Sequence, residues 1–314
     1  MAMSRMRLGQ VNSQDRNDKF SKVISNIVRT CPNPTFFCLS EQSLLPLIAA
    51  KLGAAKVLCF ENNKYMKDYI KLCAKHNGVE DRIELFDKDC WESYKDELPR
   101  VDAVIGEPNF AVSMLPWHNL LFWFCMSTLN LPTKAIISPF KAELWMVPVE
   151  YKDLWKIRAP LGSVEGFKMK HFDEIIEAAS DASDSNVEPQ PLWEYPCKAL
   201  ASPHKVLELD MRGRVSETAM SYSGEVALSA KASGLNINGM ALWMDFYLDE
   251  ETKVSGGPVS PVQVGHGVEW DMDMRQGAHF FKRHVKVDSA RAVGYVVNFL
   301  PDEGDFSFSF DIIS

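Results

Sequence analysis

The chain has 314 residues, with 34 basic and 42 acidic side chains and a formal net charge of -8. That length has room for two ordinary domains, and 46% hydrophobic with 24% charged residues excludes a disordered or fibrous chain. The longest apolar run, Leu120 to Met126, has seven residues against the ~20 that a bilayer span needs, and the acidic balance argues against nucleic-acid binding.

The N-terminal segment MAMSRMRLGQ lacks the apolar stretch of a secretory signal and resembles a transit peptide only faintly, through its two arginines. From Asp15 to Val28, the residues Phe20, Val23, Ile24, Ile27 and Val28 share one face of a 3.6-residue period, which predicts a helix over 15–28. Cys31-Pro32-Asn33-Pro34 ends it. Apolar runs at Thr35–Leu39, Lys56–Phe60, Ile83–Phe86, Val101–Ile105 and Lys134–Ser138 suit buried parallel strands. Helical stretches at Ser43–Leu52, Lys64–His76 and Trp117–Leu129 lie between them, with Gly53 and Asn77-Gly78 as left-handed stops. This alternation predicts a doubly wound α/β sheet.

After Ser138-Pro139 a two-residue period takes over, at Gly224–Ala230, Met240–Leu248, Ala278–Val285, Ala292–Leu300 and in Phe306, Phe308, Phe310 and Ile312. An antiparallel barrel or sandwich is expected there. Phe172 to Cys197 carries seven acids and no Lys or Arg, with a short helix expected at His171–Ala179 and a solvated loop at Ser180–Gln190. The seven cysteines form no CxxC and read as reduced thiols of a cytoplasmic or nuclear protein, with no metal site.

Ligands of a doubly wound sheet bind outside the carboxyl ends of its strands. A nucleotide-type cofactor needs glycine after the first strand so that backbone N–H groups can approach it. Here the turn is Ser40-Glu41-Gln42-Ser43, without glycine, and the expectation is a loop that has filled its own pocket. After the second strand stands Glu61, placed to accept from ribose hydroxyls. After the third comes Asp87-Lys88-Asp89-Cys90, read as a solvated charge cluster, and after the fourth Gly106-Glu107-Pro108. His118 is expected to be a hydrogen-bonded residue at a helix start, and the tryptophans to be core or interface residues.

These strand ends, together with Arg7–Arg16, Leu115–Leu120, Asp153–Arg158 and Pro191–Cys197, resemble the protein arginine N-methyltransferases almost end to end. Within that family the likeness is to the second module of the tandem, monomethylating (type III) members. The resemblance implies a Rossmann-like S-adenosylmethionine methyltransferase domain over 1–139 and an antiparallel β-barrel domain over 140–314. A helical arm and acidic loop would be inserted at about 150–190. It also implies Glu61 as a relic of the ribose-binding acid and Glu107 as a relic of a two-glutamate loop that clamps the substrate guanidinium. Val112 stands where the second glutamate belongs, and Met272-Asp273-Met274 where the family has Thr-His-Trp. Trp117, His118, Asp153, Trp155 and Arg158 fall where the family places interface residues.

The function implied is a catalytically silent C-terminal module that binds no S-adenosylmethionine itself. It would be the built-in partner of an active N-terminal module in a full-length enzyme that uses that cofactor on arginine-rich proteins. Two alternatives stand beside it: an atypical active methyltransferase using Glu61 and Glu107, and a non-catalytic scaffold that binds proteins. No membrane or direct nucleic-acid contact is expected.

Overall fold

The computed structural model describes residues 3–39, 41–87, 100–110, 113–158, 160–183 and 185–314, without the side chains of Arg5 and Met6. Ser40, residues 88–90 of the charge cluster and Val112 lie outside the described residues.

Two helices open the chain, α1 (Arg5–Val11) and α2 (Gln14–Thr30). The periodicity announced α2, which buries Phe20, Val23, Ile24 and Ile27; each such side chain contributes roughly 1.5–3 kcal/mol. It did not announce α1, whose stability comes from the ion pairs described below. Five strands follow, β1 (Thr35–Leu39), β2 (Lys56–Phe60), β3 (Ile83–Phe86), β4 (Ala103–Ile105) and β5 (Ile136–Ser138). They pair in parallel in the order β3-β2-β1-β4-β5, a doubly wound sheet whose switch point lies between β1 and β4. Helices α3 (Leu45–Leu52) and α4 (Lys64–His76) connect the first strands. Gly53 and Gly78 stop them in left-handed backbone, whereas Asn77 does not adopt it. A 3-10 turn (Pro116–Leu120) runs into α5 (Leu121–Ser127) before β5.

Antiparallel structure begins at β6 (Lys141–Tyr151). Then come the hairpin β7 (Ser163–Val164) and β8 (Phe167–Lys168), helix α6 (Lys170–Ser183), and strands β9 (Glu188–Gln190), β10 (Cys197–Ala199) and β11 (His204–Asp210). The chain closes with β12 (Met220–Ala227), β13 (Asn236–Tyr247), β14 (Lys253–Ser255), β15 (Gln276–Lys286), β16 (Ala292–Leu300) and β17 (Asp305–Ile313). One sheet runs β10-β6-β13-β15-β9, with β11 on β6 and β14 on β13; the other runs β12-β16-β17. Together they form a barrel-like body after the Rossmann-like sheet. The expected loop at Ser180–Gln190 is corrected: α6 continues to Ser183, and β9 pairs with Gln276–Ala278.

The two bodies share one hydrophobic core. Trp117 lies in the seam, packed edge-on to Phe306 and tilted against Phe308, with its Nε1–H donating to Asp305 Oδ1 at 2.6 Å. Gly277 faces it, because a Cβ there would stand 3.1 Å from the Trp117 ring and 2.7 Å from Val187.

Candidate functional site

The carboxyl ends of β1, β2 and β4 converge with α1 and α2. Gly106, directly after β4, has no room for a side chain: a Cβ would stand 2.1 Å from the Phe122 ring and 2.8 Å from the Leu39 carbonyl oxygen. This close packing sets Glu107 into the interior, where it is 5% exposed.

Every acceptor position of Glu107 is taken by the chain itself. Arg7 meets it with a planar fork, Nη1 to Oε1 at 2.8 Å and Nη2 to Oε2 at 2.6 Å. Arg16 Nε donates to Oε1 at 2.7 Å, and Ser43 Oγ donates to Oε2 at 2.6 Å. A carboxylate offers about four lone-pair sites, so none is left for an incoming donor. Burial pushes the Glu107 carboxyl up, but Arg16 and Arg7 outweigh it and hold the group well below the usual carboxylate range.

Arg7 is itself held on further sides. Its Nε donates to the Gln42 carbonyl at 3.0 Å and its Nη1 to Gln10 Oε1 at 3.1 Å. Gln10 in turn donates to the carbonyl of Asp273, which ties α1 to the barrel loop at Met272–Met274. In that loop Met274 is buried and accepts from Asn119, and Gln276 is saturated by backbone groups.

Glu61 directly follows β2 and is 1% exposed. Its Oε2 accepts from the Gln42 N–H at 2.7 Å and its Oε1 from the Asn63 N–H at 2.8 Å. Burial pushes its carboxyl above the usual value against the pull of those two N–H groups. Gln42 does this with φ at 52°, in the left-handed region where a side chain is uncommon. The recess lined by Asn17, Phe20, Ser43, Leu45 and Glu107 is closed even to a molecule the size of water. A cleft of about 520 Å³ lies elsewhere, between α6 and β15. The cations lining it are paired, Lys282 with Asp181 at 2.7 Å and Arg158 with Glu188.

Glu61 and Glu107 therefore share one cluster, and the remaining expected residues stand apart from it. Trp117 is 1% exposed and works within the chain, so it offers no surface to a partner. The ring Nδ1 of His118 accepts from the N–H groups of Met114 and Leu115 at 3.2 and 3.3 Å, capping the 3-10 turn. Asp153 is ion-paired with Lys156 at 2.7 Å. Trp155 donates to the Phe281 carbonyl at 3.0 Å, and Arg158 lies over the Phe280 ring and donates to Ser180 at 2.6 Å. These last two pin the arm to β15. Arg7, Arg16 and Ser43 carry the site, although Arg7 and Arg16 stood only at the ends of a string that carries the resemblance and Ser43 only in the turn after β1, with no site role expected of them. Their signal was weak, since two arginines near a glutamate in space are 91 and 100 residues from it in sequence.

Among the described residues no group of three or more His, Cys, Asp or Glu is arranged to hold a metal, and six thiols are free. No described helix is long and apolar enough to cross a membrane.

A family model described as the arginine methyltransferase oligomerization subdomain matches residues 140–314. Protein arginine N-methyltransferase 7 of Gallus gallus is 33% identical over 319 residues, covering 99% of this chain and 46% of the relative. The protein of the same name in Drosophila yakuba is 36% identical over 316 residues, covering 99% and 44%. The chain thus spans about half the length of the curated relatives it matches. The fold is that of an Arabidopsis thaliana protein arginine methyltransferase 10 structure, with a TM-score of 0.68 at 13% identity, covering 99% of this chain and 98% of that one. It is likewise that of the Trypanosoma brucei PRMT1 enzyme-prozyme complex with AdoHcy, with a TM-score of 0.70 at 13% identity, covering 99% and 93%. The chain belongs to the protein arginine methyltransferase family.

Proposed function

We propose that this chain is a catalytically silent, C-terminal module of a tandem arginine methyltransferase. It acts as the fixed partner of an active module that uses S-adenosylmethionine to monomethylate arginine-rich proteins in the cytoplasm or nucleus. The observation that carries this reading is the saturation of Glu107. A substrate guanidinium is bound by paired charge-assisted hydrogen bonds, and here those bonds are already made by Arg7, Arg16 and Ser43.

The residues present do not fit a nucleoside cofactor. Glu61, the acid a ribose would meet, spends both oxygens on Gln42 and Asn63 N–H groups. No glycine occupies positions 40–43 to bring other backbone donors near.

Partnering is supported by two apolar faces. On the arm, Phe167, Phe172 and Ile175 are 73%, 48% and 68% exposed. On α4, Tyr65, Tyr69 and Leu72 make an exposed stripe at i, i+4, i+7. Apolar surface grouped in this way marks interaction sites.

Calorimetric titration of the isolated chain with S-adenosylmethionine is expected to give no binding heat. Mixing the chain with a separately made active module is expected to raise that module's methyl transfer. Micromolar cofactor binding by this chain, or radiolabel transfer to arginine-rich peptides that Glu107→Gln abolishes, would overturn the silent reading.

A further inference from the structure

The Glu107 cluster holds more cation than its carboxylate requires. Arg16 alone would neutralise it, and Arg16 is firmly placed on the 17-residue α2, whose apolar face is buried. Arg7 adds a second buried guanidinium, at a desolvation cost that a second counter-ion does not need to incur. Arg16 Nη2 is left without a hydrogen-bond partner. The acids that moderate this excess, Glu61 beside Arg7 and Asp271 beside Arg16, act at longer range.

Arg7's contacts are directional. Its fork lies on both carboxylate oxygens, its Nε–H on the Gln42 carbonyl and its Nη1 on Gln10. A point charge would not need this geometry, whereas a planar guanidinium does. The element that carries it, α1, has seven residues and exposes Leu8. Short elements with few apolar contacts open before the core does.

We propose that Arg7 is a tethered guanidinium ligand and that α1 is the stopper of the Glu107 site: the recess beneath retains guanidinium recognition and is closed by the chain's own side chain. This rests on the silent-module reading and says what keeps the module silent. Lifting α1 exposes a site for a guanidinium from another molecule, and α1 and an arginine-bearing segment compete for it.

Chemical rescue of Arg7→Ala tests this, with methylguanidinium chloride as the probe and thermal unfolding as the readout. The variant is expected to melt lower than the wild type. Methylguanidinium should restore much of the loss saturably, at concentrations below those that denature. Methylammonium and sodium chloride at equal strength should not, and neither should methylguanidinium added to Arg7→Ala/Glu107→Gln. If Arg7→Ala does not fold alone, refolding in the presence of methylguanidinium gives the same readout. Arg7→Lys keeps the charge and loses the fork, so it is expected to melt below the wild type. Absence of rescue, equal rescue by methylammonium, or an Arg7→Lys variant as stable as the wild type overturns the proposal. Each of those results leaves the wild type's lack of cofactor binding untouched. Cofactor binding by the wild type would instead overturn the silent reading and leave the rescue result standing.

Discussion

The molecule buries polar groups by two different means, as neutral amides and as ions. In the barrel, Asn238 is 0% exposed and exchanges hydrogen bonds with the Tyr151 backbone, Oδ1 accepting at 2.7 Å and Nδ2 donating at 2.9 Å. Gln276, equally buried, serves four backbone groups. These are neutral amides that repair strand irregularities and cost little desolvation. At the sheet's carboxyl ends the buried groups are ions: Glu107 between two guanidiniums, and Glu61 close by. Ionic burial is rarely the cheapest way to build a fold, since apolar residues of similar volume often serve as well. The barrel also buries two carboxylates, Glu143 and Asp245, but the lysines that pair with them, Lys141, Lys205 and Lys253, reach solvent; among the described residues only the strand-end cluster buries both partners of its ion pairs.

Three perturbations would break or sharpen that contrast. Glu107→Gln leaves Arg7 and Arg16 buried without their counter-charge and is expected to cost about 3–5 kcal/mol in urea unfolding. A loss below 1 kcal/mol would mean that the cluster is hydrated and the ionic distinction false. Asn238→Leu strands one buried N–H and one C=O of Tyr151 and is expected to cost about 1–3 kcal/mol in the same measurement. If it cost more than Glu107→Gln, the barrel amide would be the more demanding of the two.

The third perturbation is pH. Burial, with Asp273 nearby, pushes Asp271 from 3.8 up to about 6. Folding therefore favours its protonated form, and the stability this gives is complete below pH 3.8 and lost as pH rises through about 6. Glu107 acts in the opposite sense, contributing above the unfolded value of roughly 4.3 and losing it as pH falls towards its depressed folded value. Asp271→Asn is expected to flatten the decline between pH 4 and 6, worth about 1–2 kcal/mol, and to leave the acid limb unchanged. Denaturant midpoints across that range would show no difference between variant and wild type if Asp271 were ordinary.

The parallel sheet was legible because buried central strands read as short apolar runs, and β1, β2 and β3 fall where those runs lie, with α4 on the helical stretch expected at Lys64–His76. β6 gave no such signal: it is buried along most of both faces and carries Trp145 and Pro148, so neither alternation nor a clean run survives. β9 was hidden in an acidic segment, because its three residues pair through backbone. At the site, Glu61 and Glu107 were visible from their positions at strand ends. Their partners were not, since α1 has no apolar period and its Arg7 is fixed by a contact that only the folded chain makes. His118 was legible as a local cap, because the groups it binds are its own neighbours.

Gln42 has a consequence for how such a site could change. Its N–H serves Glu61 and its carbonyl serves Arg7, which serves Glu107. The two carboxylates are joined through one residue and are not independent positions. The Gln42 N–H and carbonyl are both main-chain groups, so a glycine at 42 would keep them, and only a change in the turn's conformation would free Glu61 and loosen Arg7 together; removing Arg7 would leave the Gln42 carbonyl and half of Glu107 without partners. Changes at Arg7, at Glu107 and in the main chain of the turn are therefore coupled: each withdraws a partner from the others.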